Sequence, residues 1–310
     1  MLLRAGAASS IPSGGEFVIY LDTFTFPDDG REFDYCLGVK LKCYTSFYPF
    51  KVLSHHQFER IDFEPVTILY GGNGTGKSTA LNVIAQKLRL QRKAPFNDTC
   101  FFQDYVDMCT AELRENIPEG SRIITSDDVF SYMLDIRSLN EGIDRRRGDI
   151  MEEYMEAKFA KVQLHSMEDY EALSRTVKAR SRTMSRYVRE ELGKTVRTYS
   201  NGESAYRYFT NKIEENGLYL LDEPENSLSP ALQQELVQFL SDSARFFGCQ
   251  FVISTHSPFL LAMRGAKIYD LDEEIVTVKP WTQLANVRAY YDFFREHERE
   301  FGQRTPGDEA

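Results

Sequence analysis

A mixed α/β fold, with a glycine-loop core, an antiparallel sheet toward the N-terminus and an inserted helical lobe, follows from three observations on this sequence. An apolar stretch, Val66–Tyr70, runs into Gly71-Gly72-Asn73-Gly74-Thr75-Gly76-Lys77-Ser78-Thr79, and a helical period with apolar residues at 80, 81, 84, 85 and 88 follows. A second apolar stretch, 218–221, ends on the acids Asp222 and Glu223. Between them, residues 100–198 hold much helical pattern and few strand signals.

The elements follow in chain order. Residues 1–15 are small and polar and predict a flexible lead. In 16–99, the first half of the core, Phe17-Val18-Ile19-Tyr20-Leu21 and the alternation from Cys36 to Tyr44 predict strands, with Pro27-Asp28-Asp29-Gly30 as a hairpin turn between them. Residues 66–70 predict a buried strand, and 77 to about 90 a helix. The lobe, 100–198, is expected to be interrupted at Pro118-Glu119-Gly120 and near Gly142 and Gly148, and it lacks the sustained heptads of a coiled coil. Residues 199–280 return to α/β, with strands at 218–222 and 250–253 and a final hairpin from 267–271 and 275–278. In 281–310 a charged helix carries an apolar stripe of Val287, Tyr290, Tyr291, Phe294 and Phe301, expected to pack on the core.

Composition narrows the class. The 310 residues can form one large core or a core with an inserted lobe. No apolar run reaches membrane-span length, and the first ten residues are too short for a signal-peptide core, so a cytoplasmic protein is expected. Five cysteines without C-x-x-C spacing argue against a disulfide framework and against a zinc site. A formal net charge of −10 gives no overall basic footprint for nucleic acid. Locally the balance reverses: 175–197 holds eight basic residues (Arg175, Lys178, Arg180, Arg182, Arg186, Arg189, Lys194, Arg197) against Glu190 and Glu191. Such a run fits a phosphate-backbone contact or a solvated helix face paired with acids.

The glycine loop matches G-x-x-x-x-G-K-[ST]. In that pattern glycines turn backbone N–H groups toward phosphates, and the lysine reaches the β and γ phosphates. A strand entering the loop and a helix leaving it complete an anion site, because the helix N-terminus adds unpaired N–H groups and a positive dipole end. Asp222 and Glu223 stand at the C-terminal end of a strand, where open α/β sheets collect ligands. Adjacent strand residues point to opposite faces, so the two acids should have different tasks.

With Ser200-Asn201-Gly202-Glu203-Ser204 and Ser254-Thr255-His256-Ser257-Pro258 added, the chain resembles the ABC-type ATPases over about residues 35 to 280, in the branch of RecF, SMC and OLD-like proteins. The 200–204 segment resembles the signature Ser-Gly-Gly-Gln, with Asn in place of the first Gly, a residue that tolerates positive φ. The resemblance implies ATP and Mg²⁺ as cofactors. It places ATP on Gly71, Asn73, Gly74, Thr75, Gly76, Lys77, Ser78 and Thr79, with Ser200, Asn201 and Gly202 donated in trans by a second copy. It implies Ser78 and Asp222 on the metal, Glu223 orienting and deprotonating the attacking water, His256 on the γ-phosphate, and Glu225 to Pro230 as the D-loop. For the Q-loop, Asp127 or Asp128 is favoured over Gln103, with Asp127 as the metal-side residue; a helix N-terminal acidic pair is the alternative. His55, His56, His165 and His297 lack such context and are expected at the surface or in packing.

The expected activity is hydrolysis of ATP by a homodimer that closes on ATP and reopens after hydrolysis. Three uses compete: nucleic-acid maintenance or surveillance, with DNA or RNA on 175–197; regulation of a separate effector protein in a bacterial defence or toxin system; and, last, the nucleotide-binding subunit of a transporter. No room is expected after 280 for an OLD-type nuclease domain.

Overall fold

The computed structural model describes residues 17–39, 44, 46–160, 169–191 and 200–302. Its elements in chain order are β1 (Leu21–Thr25), α1 (Asp29–Gly38), β2 (Arg60–Asp62), β3 (Val66–Tyr70), α2 (Lys77–Lys87), α3 (Phe102–Met108), β4 (Thr110–Leu113) and β5 (Arg122–Thr125). Then come α4 (Ser126–Phe159), α5 (Asp169–Ser181), α6 (Met184–Glu191), α7 (Asn201–Lys212), β6 (Gly217–Asp222), α8 (Pro230–Phe246) and β7 (Cys249–Ser254). The chain closes with α9 (Pro258–Leu261), β8 (Lys267–Asp270), β9 (Thr277–Val278), α10 (Ala285–Glu296) and α11 (Glu298–Gly302). Contacts divide it into two compact units, Met1–Val129 with Ala205–Ala310, and Phe130–Ser204.

The first unit is built on a six-stranded sheet in the order β5-β6-β7-β3-β8-β9, parallel except for β9, which forms the expected hairpin with β8. Every residue of β3 and β7 is buried, as continuous apolar strands with both faces covered require. The registers Thr125↔Asp222, Asp222↔Ser254 and Leu69↔Ser254 put the carboxyl ends of β5, β6, β7 and β3 at one level. Loops leaving these strands therefore meet along a single edge. Behind the edge, α2 buries Ala80, Leu81, Val83, Ile84 and Ala85 into the main core.

The antiparallel sheet expected near the N-terminus is present as β2-β1-β4. Gln250 of β7, fully buried, joins it to the larger sheet. Its Oε1 accepts the N–H groups of Tyr20 and Leu21 at 2.9 Å each, and its Nε2 donates to Leu21 O at 2.8 Å. A buried amide is tolerable here because both ends are satisfied.

Several expectations are corrected. The strand expected at Phe17 starts only at Leu21. Pro27-Asp28-Asp29-Gly30 is no hairpin: Asp28 caps α1 by accepting Arg31 N–H at 2.8 Å, and Asp29 and Glu32 add negative charge to the first turn. Cys36, Leu37 and Gly38 are accordingly helical, while 40–43 and 45 lie outside the described residues, as do 1–15 of the expected lead, His165, Lys194, Arg197 and Tyr199. The sheet's third strand is β4, and β5 pairs with β6, so the stretch from 100 to 129 belongs to the core unit and the second unit starts at Phe130. The helix α2 stops at Lys87, and Arg89 takes φ 53°, the left-handed conformation that ends helices.

In the second unit, α5 and α6 pack Ala179, Tyr187 and Val188 with Ile150 and Tyr154 of α4. Gly142 and Gly148 do not interrupt α4, which continues through both, because a glycine costs a helix only about 1 kcal/mol. Arg180 donates to the carbonyls of Lys158 (3.1 Å) and Ala160 (2.8 Å) at the end of α4, where a cation complements the helix dipole. Among the described residues no helix is long and apolar enough to cross a membrane.

Candidate functional site

The loop between β3 and α2 has a shape only glycine permits at two points. Gly74 and Gly76 sit at φ 86° and 93°, and a Cβ on Gly76 would come within 2.8 Å of Leu53 Cδ2. The loop ends on Gly76 as N-cap of α2, where no side chain caps the first turn. Its N–H groups are thus oriented donors for an anion. Lys77 is buried, and its Nζ donates to the carbonyls of Gly71 and Gly72 at 2.7 Å each, so the cation is held over the loop. Thr75 Oγ1 donates to Gly72 O at 3.0 Å, and Thr79 Oγ1 meets Tyr48 Oη at 3.1 Å. Asn73 and Ser78 are exposed.

At the end of β6, Asp222 Oδ1 accepts the Ser78 hydroxyl at 3.1 Å. Burial pushes its carboxyl up from the ordinary range, against the Ser78 bond and Lys77, which lower it. A hydroxyl and a carboxylate so placed are the hard oxygen donors that Mg²⁺ takes, with phosphate and water oxygens completing its shell. The loop glycines and the uncapped helix start fit a triphosphate in the same way.

Glu223 has left the strand, with φ 47°; its N–H donates to Ser254 O at 2.9 Å and its Oε2 accepts from Asn226 Nδ2 at 3.0 Å. The two acids therefore have different partners, and a left-handed residue rather than strand alternation separates them. Glu225 is the residue whose importance the sequence conceals. It is 6% exposed, and its Oε1 accepts the Thr255 hydroxyl at 2.6 Å and the His256 N–H at 3.0 Å. His256 Nδ1 stands 3.5 Å from that oxygen and 4.0 Å from Glu223 Oε1. Asn286, at the start of α10, donates to His256 O at 3.0 Å through its side chain and to Tyr70 Oη at 3.0 Å through its N–H. Asp272 accepts Gly72 N–H at 2.6 Å. No short motif announces Asn286 or Asp272, whose partners are 30 to 216 residues away. Between the loop and His256 lies a cavity of about 330 Å³, lined by Tyr70, Gly71, Gly72, Asn73, His256, Asp272 and Asn286.

Other candidates are placed differently. Asp128 is buried and fully engaged: Oδ1 accepts Ala94 N–H at 2.8 Å, and Oδ2 accepts the N–H and hydroxyl of Thr125 at 2.8 and 2.9 Å. It is a structural residue of the start of α4. Asp127 is exposed in the same first turn, two residues past Thr125, which pairs with Asp222. Gln103 lies on α3, bonded to Asp107 at 2.8 Å and Gln86 at 3.5 Å. Ser200 and Glu203 form a reciprocal cap on α7, with Ser200 N–H to Glu203 Oε2 at 3.1 Å and Glu203 N–H to Ser200 Oγ at 3.3 Å. Asn201 is the first residue of α7 and has no positive φ; its Oδ1 accepts from Arg137 at 2.7 Å, so the conformational reason for an Asn there is withdrawn. Gly202 follows inside the helix.

Four described members of the basic run are engaged within their own unit. Arg180 holds the end of α4, Arg182 and Arg186 both pair with Glu190, and Lys178 lies 5.5 Å over the Tyr187 ring. The tail stripe departs from expectation too. Val287 is buried, but Tyr290, Tyr291, Phe294 and Phe301 are exposed.

Residues 114–262 match a family model described as "AAA domain, putative AbiEii toxin, Type IV TA system", a span of just under half the chain. No curated protein matches the chain. Among solved structures, the SMC head domain of Pyrococcus furiosus bound to the C-terminal domain of ScpA is similar at 14% identity, covering 77% of this chain and 95% of that one, with a TM-score of 0.37. The SMC head domain of Thermotoga maritima is similar at 12%, with coverages of 84% and 99% and a TM-score of 0.35. The ATP-binding cassette MJ0796 bound to ADP and Pi is similar at 14%, with coverages of 73% and 90% and a TM-score of 0.35. Scores this low add nothing to what the loop, the strand ends and the sheet order of this chain already carry.

Proposed function

We infer that this chain, an ABC-type P-loop ATPase in its core, binds ATP with Mg²⁺ and hydrolyses it as an ATP-gated homodimer switch. One observation carries the reading: the parallel strands β3, β6 and β7 bring the glycine loop, Asp222 and His256 to one carboxyl edge, where the loop and His256 line a common cavity and Asp222 accepts from Ser78. Lys77 and the first-turn N–H groups of α2 bind the β and γ phosphates, while Ser78 and Asp222 would hold the metal, with the exposed Asp127 as a further acidic side chain for it. Bound there, Mg²⁺ supplies charge neutralisation on the phosphate oxygens, the larger part of catalysis in phosphoryl transfer. Glu223 orients the attacking water and takes its proton, with Asn226 fixing its carboxylate. His256 reaches the γ-phosphate, and Glu225 and Asn286 hold its backbone on both sides. Ser200, Asn201 and Gly202 serve a second copy's ATP at the start of α7.

For the output, we favour regulation of a separate effector in a toxin or defence system, a use compatible with the family model over residues 114–262, whose description names a toxin–antitoxin system. Nucleic-acid maintenance is the second reading, and the internal pairing of Arg180, Arg182 and Arg186 weighs against the basic run as its contact. The test is ATP turnover by the purified chain together with its size on a calibrated column with and without ATP and Mg²⁺. Absence of turnover and of any ATP-dependent change in size would remove the reading.

A further inference from the structure

Residues 91–94 run beside β5 at the edge of the six-stranded sheet. Gln91 N–H donates to Ser121 O at 3.2 Å, Ile123 N–H donates to Gln91 O at 3.0 Å, and Ala94 N–H ends on Asp128. This path brings Arg92, Lys93 and Arg122 around a cavity of about 110 Å³, which α7 lines with Tyr208 and Lys212. Four cationic residues thus share one cavity with one carboxylate, Asp128. That carboxylate is committed elsewhere, since both its oxygens accept from Ala94 and Thr125.

Arg92 is the informative member. Its Nη2 donates to Asn82 Oδ1 at 2.6 Å, its guanidinium lies 4.1 Å from the Phe96 ring centroid, and its Nη1 is buried with no acceptor among the described residues. An amide and a ring face carry no charge to offset a guanidinium withdrawn from water, and the carboxylates that act on it through space, Asp128 first, then Asp222 and Asp98, form no ion pair with it among the described residues. Burial accordingly pushes its pKa down. Arg122 donates through Nε to Gly120 O at 3.1 Å, and its one ion pair among the described residues is with the exposed Glu214, at 4.0 Å. Lys212 makes no hydrogen bond or ion pair among the described residues.

We propose that this cavity is an oxyanion site that takes one phosphate group between Arg92, Arg122 and Lys212. Its volume admits a tetrahedral oxyanion and excludes a nucleoside. Arginine forks suit such oxygens, and Lys212 adds a cation with no ion pair among the described residues. No residue of the glycine loop lines it, so it is a second phosphate position on the chain. The group can arrive as free phosphate or as the 5′ end of a nucleic acid.

The test fills the glycine loop first, with a non-hydrolysable ATP analogue and Mg²⁺ at saturation, and then titrates inorganic phosphate into the full chain by calorimetry at constant ionic strength. A further saturable event is expected. Arg92→Gln and Lys212→Gln should each weaken it about tenfold or more, as loss of a charge-assisted hydrogen bond does, with affinity for the analogue unchanged within about twofold. A 5′-phosphorylated oligonucleotide that outcompetes its 5′-hydroxyl twin in wild type but not in Lys212→Gln assigns the group to a nucleic-acid end; equal competition assigns it to free phosphate. The proposal is overturned by no second event, or by one of unchanged strength in Lys212→Gln, a variant that removes no bond of the fold. Should the analogue itself fail to bind, the glycine-loop reading fails, and comparing phosphate titrations of wild type and Lys212→Gln still decides the cavity.

Discussion

Asn286 donates its side-chain N–H to the backbone carbonyl of His256 at 3.0 Å, while its own N–H is given to Tyr70 Oη, at the end of the strand that feeds the glycine loop. One residue of α10 thus spans the ends of the two strands, β3 and β7, on which the phosphate cradle and the histidine are mounted. Glu225 holds the same histidine from the other side, through its N–H. His256 is therefore fixed by its backbone, with its ring left to act.

Loosening that fixation should lower turnover more than ATP affinity. Asn286→Ala removes the bond to His256 O while leaving the backbone N–H on Tyr70 in place, and a loss of one hydrogen bond is worth about 1 kcal/mol, or roughly fivefold in rate if it acts on positioning. Steady-state kinetics decide it: a raised KM with unchanged kcat would assign Asn286 to binding instead.

Glu225→Ala leaves the Thr255 hydroxyl and the His256 N–H without their buried acceptor. Each unsatisfied group costs about 1–3 kcal/mol, so the variant should unfold at clearly lower denaturant concentration. An unchanged midpoint would mean that water replaces the carboxylate.

Lys77→Ala should abolish hydrolysis and strongly weaken ATP binding, because it removes the point charge on the β and γ phosphates. The check is turnover together with fluorescent-nucleotide binding on purified protein, where undiminished turnover would defeat the loop assignment. Gly76→Ala should fail similarly for a steric reason: its Cβ would sit 2.8 Å from Leu53 Cδ2, at a φ of 93° that side chains rarely adopt.

Glu223→Gln keeps the size and the Asn226 partner of the side chain but gives up the base. Normal ATP binding, very slow hydrolysis and an accumulated dimer are expected on sizing with ATP and Mg²⁺. A strictly monomeric variant would remove the main support of the dimer.

Ser200→Arg should leave ATP affinity intact and collapse turnover, because a bulky cation would block the approach of a second copy's γ-phosphate. Mixed with Lys77→Ala, it should regain part of the activity, since one site of the mixed dimer then has both Lys77 and Ser200 intact. Full activity of Ser200→Arg alone would exclude a role in trans.

The sequence by itself determined the parts of this protein that are local. The glycine loop, the apolar strands ending at Tyr70 and Asp222 and the β8–β9 hairpin depend on neighbours a few residues away, and their patterns are legible without the fold. It misled where two local signals compete: Pro27-Asp28-Asp29-Gly30 carries turn residues that are also a helix N-cap, and only the helical continuation decides between them. Ser200 with Glu203 was equally ambiguous, since S-x-x-E caps a helix whatever else it serves. Tertiary structure alone decided which carboxylates are committed, Asp128 and Glu225 to backbone N–H groups and hydroxyls, and Asp222 to Ser78. It alone placed Asn286 and Asp272 beside partners distant in sequence. The reason is physical: a hydrogen bond fixes a side chain's role once its partner arrives, and strand order, set by burial of whole apolar faces, determines which partners arrive.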